Sequence, residues 1–92
     1  MLAMKSHAQQ DTLDPALVEA NSYQLYTEGK WTELINLGKS AVKQGMDYFY
    51  LRMRIGIAYY EKKNYNLAEE HFARALKFNT GDELALEYLY YC

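Results

Sequence analysis

The feature that most constrains this chain is internal: residues 15 to 48 can be laid over residues 49 to 82 without a gap, by a shift of 34 positions. Under that shift Tyr26 falls on Tyr60, Trp31 on Tyr65 and Ala41 on Ala75, while Gly29-Lys30-Trp31 falls on Lys63-Asn64-Tyr65. Ser22 takes the place of Gly56. A further shift brings Glu83 to Cys92 into register as the opening of a third copy, cut short. A period of this length belongs to arrays in which each unit buries its apolar face only against its neighbours.

Apolar spacing predicts helices within each copy. In the second, Leu51, Ile55, Ala58 and Tyr59 form one stripe, and Leu67, Ala68, Phe72, Ala75 and Leu76 form another. In the first, Val18, Asn21, Ser22, Leu25 and Tyr26 make a mixed face, and Leu34, Ile35, Leu37, Ala41 and Val42 recur at helical spacing. Punctuation falls between the stripes. Asp14 before Pro15 reads as an N-cap with proline in the first turn, and Asp47, Asn64 and Asp82 are the later cap candidates. Gly29, Gly45 and Gly81 lie in connections, where left-handed backbone is expected at helix ends. Glu69 and Glu70 are read as opening one helix and Arg74 and Lys77 as closing it, as the macrodipole favours. Five helices and no strands are predicted.

The second copy carries Ile55-Gly56, Tyr59, Ala68, Phe72 and Ala75 at the spacing of a tetratricopeptide repeat, and the chain resembles that family over about 78 of its 92 residues. The departures are Arg52, where the family has an aromatic residue, and Thr80, where it has proline. The resemblance implies an all-α domain over 14–92: antiparallel helix-turn-helix repeats at 15–48 and 49–82, a partial repeat at 83–92, and a short right-handed solenoid. In the first copy Leu34 stands where Ala68 does and Gly38 where Phe72 does. This exchange of small for large predicts a roughly conserved core volume. Gly38 is otherwise a local misfit, costing about 1 kcal/mol against alanine in a helix interior.

The family's geometry places the first helix of each repeat on the concave side. The implied groove residues are Ala16, Glu19, Tyr23, Tyr26 and Thr27 from the first copy, with Tyr50, Met53, Ile57, Tyr60 and Glu61 from the second. Leu84, Glu87 and Tyr91 follow. Relatives that clasp acidic chaperone tails use lysine, asparagine and arginine in such slots, whereas this chain has Glu19, Tyr23, Met53 and Ile57. An amphipathic helix or an apolar peptide of a protein partner suits these residues better, with tyrosine giving contact area at low entropic cost. The competing reading is that the ten tyrosines serve packing between repeats.

Half of the residues are apolar and 24% are charged, which fits a folded body, but two copies and a stub are few for an array that generally needs about three. Leu84, Leu86, Tyr88, Leu89, Tyr90 and Tyr91 make the last segment too apolar for the polar cap that usually ends such arrays. The expectation is a fragment, or a unit that self-associates through its C-terminal helix. In this alternative the segment is a structural N-terminal repeat domain of a longer exported protein. Residues 1–13 are read as a disordered leader. MLAMKSHAQQ, with Ser6 and Ala8 at small-residue positions, resembles the end of a secretory signal with cleavage near Gln9, implying export to the periplasm or cell envelope. Without it the chain is cytoplasmic.

A net charge of −2 with mixed signs leaves no basic footprint for nucleic acid, and no apolar run is long enough to span a membrane. The lone Cys92 rules out an internal disulfide and reads as a buried apolar residue of the last helix, with an intermolecular disulfide as the other option. His71 has no second ligand at helical spacing, glycines are scattered, and no nucleophile is paired with a base. A non-enzymatic chain without metal or cofactor is expected.

Overall fold

The computed structural model describes residues 12–92, so the signal-like residues of the leader lie outside the described part. Leu13, read as the end of a disordered leader, instead packs against the core, and its amide donates to Gln44 Oε1 at 2.9 Å. Five helices occupy it: α1 (Pro15–Thr27), α2 (Trp31–Lys43), α3 (Phe49–Glu61), α4 (Tyr65–Phe78) and α5 (Glu83–Tyr91). No strand occurs among the described residues. The 34-residue shift carries the start of α1 onto that of α3 and then of α5, and the start of α2 onto that of α4.

Local chemistry explains these boundaries. The Asp14 carboxylate accepts from the Ala16 amide at 3.2 Å, with Pro15 opening α1 where its missing N–H costs nothing. Asn64 accepts from Leu67 at 3.4 Å and Asp82 from Ala85 at 2.9 Å. Asp47 is not a cap: Tyr48 occupies that position without a side-chain bond, and the Asp47 carboxylate holds Arg52 instead. Glu69 and Glu70 likewise lie beyond the first turn of α4, which contains no acidic residue.

The first three helices end alike. The amide after the cap bonds back three residues and the next bonds back five, as in Gly29 to Tyr26 and Lys30 to Leu25. The left-handed residue is Gly29 (φ 69°) after α1, Gly45 (φ 93°) after α2 and Lys63 (φ 64°) after α3. Lys63 thus adopts, 34 residues on, the conformation that Gly29 adopts without a Cβ penalty. Gly81 does not take a positive φ; α4 ends instead in extended backbone at Asn79.

The centre is α3, which packs on α1, α2 and α4, while α4 also carries α5. Leu51, Ile55 and Ala58 of α3 are wholly buried, as are Leu34 and Ala41 of α2, Ala68, Phe72 and Ala75 of α4, and Ala85 of α5. Two glycines permit the close approach. A Cβ on Gly56 would lie 2.7 Å from the Phe72 ring, and a Cβ on Gly38 would lie 2.4 Å from Cγ1 of Ile55. The space left by exchanging Phe72 for Gly38 is therefore occupied by Ile55 of the next copy, and the site is not underfilled. The last helix is only half covered. Tyr88 stacks on Phe72 at 4.7 Å, but Leu84, Leu86, Tyr90 and Tyr91 are exposed. Cys92 is exposed as well, against the expectation of burial.

Candidate functional site

Because α1, α3 and α5 start at the same point of the period, their equivalent faces contribute to neighbouring surface. Tyr23 and Tyr26 of α1, Phe49, Tyr50, Met53, Arg54 and Ile57 of α3, Asn79 and Asp82 of the last connection, and Leu84 of α5 surround a hollow of about 340 Å³. Met53 and Ile57 are nearly buried and supply its apolar floor. Tyr23 and Tyr50 stand 55% and 63% exposed at its edges, so most of each ring is free for contact. A second hollow of about 200 Å³ is lined by Tyr60, Leu84, Glu87, Tyr88 and Tyr91, and Leu84 belongs to both.

The structure thus brings Tyr23, Tyr26, Tyr50, Met53 and Ile57 to one hollow and Tyr60 and Tyr91 to its neighbour. Glu61 lies exposed at the end of α3, apart from both, and Ala16 and Thr27 are exposed on α1. Phe49, Arg54, Asn79 and Asp82 were not expected in the groove.

Arg54 is the most consequential of these. Its guanidinium donates to both Glu19 carboxylate oxygens at 2.9 Å and to Ser22 Oγ at 3.0 Å, linking α1 to α3. It also lies 5.3 Å from the Tyr23 ring centroid and 5.9 Å from that of Tyr50. The two exposed tyrosines are therefore braced by one cation, itself fixed by a fork-to-fork ion pair. Hydrogen bonds from Arg54 and then Tyr48 hold the Glu19 carboxyl below its ordinary value. Burial, then the adjacent Glu19, pushes the Tyr48 phenol up to about 12, so it remains the donor in its 2.7 Å bond to that carboxylate. Ser22 stands where the second copy has Gly56, and its fully buried hydroxyl gives Arg54 an acceptor.

On another side of α3, Arg52 is buried and forked onto Asp47 at 2.7 and 2.8 Å, and its third nitrogen donates to His71 Nδ1 at 3.1 Å. His71 stacks on Tyr59 at 5.4 Å. Burial, reinforced by Arg52, pushes His71 down to about 4 from its ordinary 6.5. The unfolded chain therefore takes up a proton near pH 6.5 that the folded chain refuses until about pH 4, and stability falls as pH drops through that window. The Asp47 carboxyl, held low chiefly by its bonds from Arg52, supplies stability that is lost at still lower pH. Thermal melts are expected to show Tm declining from neutral pH toward pH 4. In His71→Gln the decline between about 6.5 and 4 should flatten; an unchanged pH profile would assign it to other groups.

Among the described residues, no group of three or more His, Cys, Asp or Glu side chains gathers as a metal ion would require. Nor is any helix there long and apolar enough to cross a membrane.

Compared with known protein families the chain matches none, and no solved structure matches it. It is 38% identical over 58 residues to the Vi polysaccharide export protein VexE of Salmonella typhi. That match takes in 59% of this chain and 9% of the relative, so the chain spans about a tenth of that protein's length.

Proposed function

We propose that this chain is a tetratricopeptide-like interaction segment that holds a peptide or helix of a protein partner in its tyrosine-rich groove, within an assembly that exports polysaccharide at the cell envelope. The observation that carries the reading is the pair of exposed, cation-braced tyrosines over an apolar floor of Met53 and Ile57. Large rigid rings beside a buried floor supply contact area with little side-chain entropy to lose. The recurrence of helix starts at the 34-residue interval supports the repeat assignment. The role is binding rather than catalysis. The export setting rests on the partial similarity to the Salmonella typhi protein.

A second reading is favoured by the exposure of Leu84, Leu86, Tyr90 and Tyr91: a structural repeat segment of a longer exported protein, self-associating through α5. One experiment separates the two. A photo-crosslinking residue replaces Tyr50 in the protein as its native host makes it, and adducts are identified with and without Tyr23→Ala. The groove reading expects a defined protein adduct that Tyr23→Ala diminishes. With the isolated partner, the Tyr23→Ala, Tyr50→Ala double variant is expected to lose at least about tenfold in affinity, as hot-spot residues do. Its own stability should change by only about 1 kcal/mol, since both rings are mostly in water and lose their contacts with Arg54 and with the neighbouring Tyr26 and Phe49 rings. Adducts only to a second copy would favour self-association, and none from a folded chain would overturn the groove assignment.

A further inference from the structure

Beside the Arg52 cluster lies a hollow of about 350 Å³ lined by Arg52, Glu70, His71, Ala73, Arg74 and Lys77. It shares no lining residue with the tyrosine groove. We propose that this hollow is a binding site for an oxyanion, a carboxylate or phosphate group carried by a ligand of the assembly.

Three features of the site argue for it. Arg74 and Lys77 are three residues apart on α4, so both rise from one face of the helix, and neither forms an ion pair among the described residues. Their charges are available in a way that those of Arg52 and Arg54 are not. Second, Arg52 can only donate, so the 3.1 Å contact makes His71 Nδ1 the acceptor and places the proton of the neutral ring on Nε2. The ring therefore offers a further donor while remaining uncharged. Third, Ala73 leaves room between the longer side chains. Glu70 is the carboxylate at this site; Asp47 is already committed to Arg52. Charges from Arg52, Lys39 and Arg74 all disfavour protonation of His71, and only Asp47 opposes them among the charges that act on it. A bound anion would add to that opposition.

The test uses the whole chain and two probes, inorganic phosphate and glucuronate, titrated at constant ionic strength with chloride as the balancing anion. The His71 ring and the backbone resonances of α3 and α4 are followed by NMR. Saturable shifts confined to Arg52, His71, Ala73, Arg74 and Lys77 are expected, together with an upward move of the His71 titration midpoint. Arg74→Gln with Lys77→Gln should weaken binding at least tenfold while leaving the helical circular dichroism unchanged, because both side chains are exposed. The tighter probe identifies the source, a phosphate ester or a sugar carboxylate. Shifts that grow linearly, that chloride reproduces, or that survive in the double variant would overturn the proposal.

Discussion

Gly38→Phe is expected to abolish folding, and Gly38→Ala to destabilise by about 1–3 kcal/mol, the range typical of overpacking a close-packed core. Helix propensity alone predicts the opposite sign, since alanine is favoured over glycine by about 1 kcal/mol in a helix interior. Contact decides the matter. A Cβ at position 38 would lie 2.4 Å from Cγ1 and 2.5 Å from Cδ1 of Ile55. Ile55 is wholly buried, and a β-branched side chain in a helix has essentially one rotamer, so the methyl end cannot swing away. Relief requires α2 to move off α3, which opens packing around Leu34 and Ala41 as well. Urea unfolding followed by circular dichroism measures both variants. A more stable Gly38→Ala would mean that the α2–α3 contact is looser than described.

Phe72→Ala is expected to cost about 3–5 kcal/mol, the usual toll for a fully buried phenylalanine. That is a large share of the 5–15 kcal/mol by which domains are generally stable. The ring is wholly buried, fits against Gly56 where a Cβ would come within 2.7 Å, and stacks on Tyr88 at 4.7 Å. Its removal leaves a cavity between α3 and α4 and takes away the surface on which α5 rests. Amide exchange should therefore accelerate in α5 more than in α1, beyond the general loss of stability. Phe78→Ala, at a ring 51% exposed, is the matched control and should change stability by well under 1 kcal/mol. Equal losses in the two variants would contradict the core assignment of Phe72.

The contrast between these glycine and phenylalanine positions shows what one copy says about the other. Gly56 and Phe72 lie in the copy with the clearer apolar stripes, and they meet. Their counterparts, Ser22 and Gly38, keep the register but answer to other neighbours: Ser22 to Arg54 and Gly38 to Ile55. The residues that line the tyrosine-rich hollow were legible to a similar degree. Tyr23, Tyr26, Tyr50, Met53 and Ile57 come together, whereas Arg54 was passed over because its partners Glu19 and Ser22 are 35 and 32 residues away. Asp47 has the composition of a cap, yet a buried guanidinium five residues on binds it in place of the helix amides. A charge-assisted, two-pronged bond outweighs a single capping bond.

Helix number, most helix boundaries and most of the buried stripes followed from the amino-acid order alone, the cap at Asp47 and the left-handed turn at Gly81 being the exceptions. Caps at Asp14, Asn64 and Asp82, left-handed turns at Gly29 and Gly45, and apolar residues recurring every three to four positions are all local, and the 34-residue shift repeats them. Tertiary structure decided which charges are spent and which are free. Arg52 and Arg54 are spent on Asp47 and Glu19, while Arg74 and Lys77 remain available. It also decided that Gly38 is a fitted surface, and that half of α5 is left uncovered. The physical reason is that propensity and capping act within a few residues of chain, whereas ion pairing, close packing and exposure depend on distances between helices that no local pattern encodes.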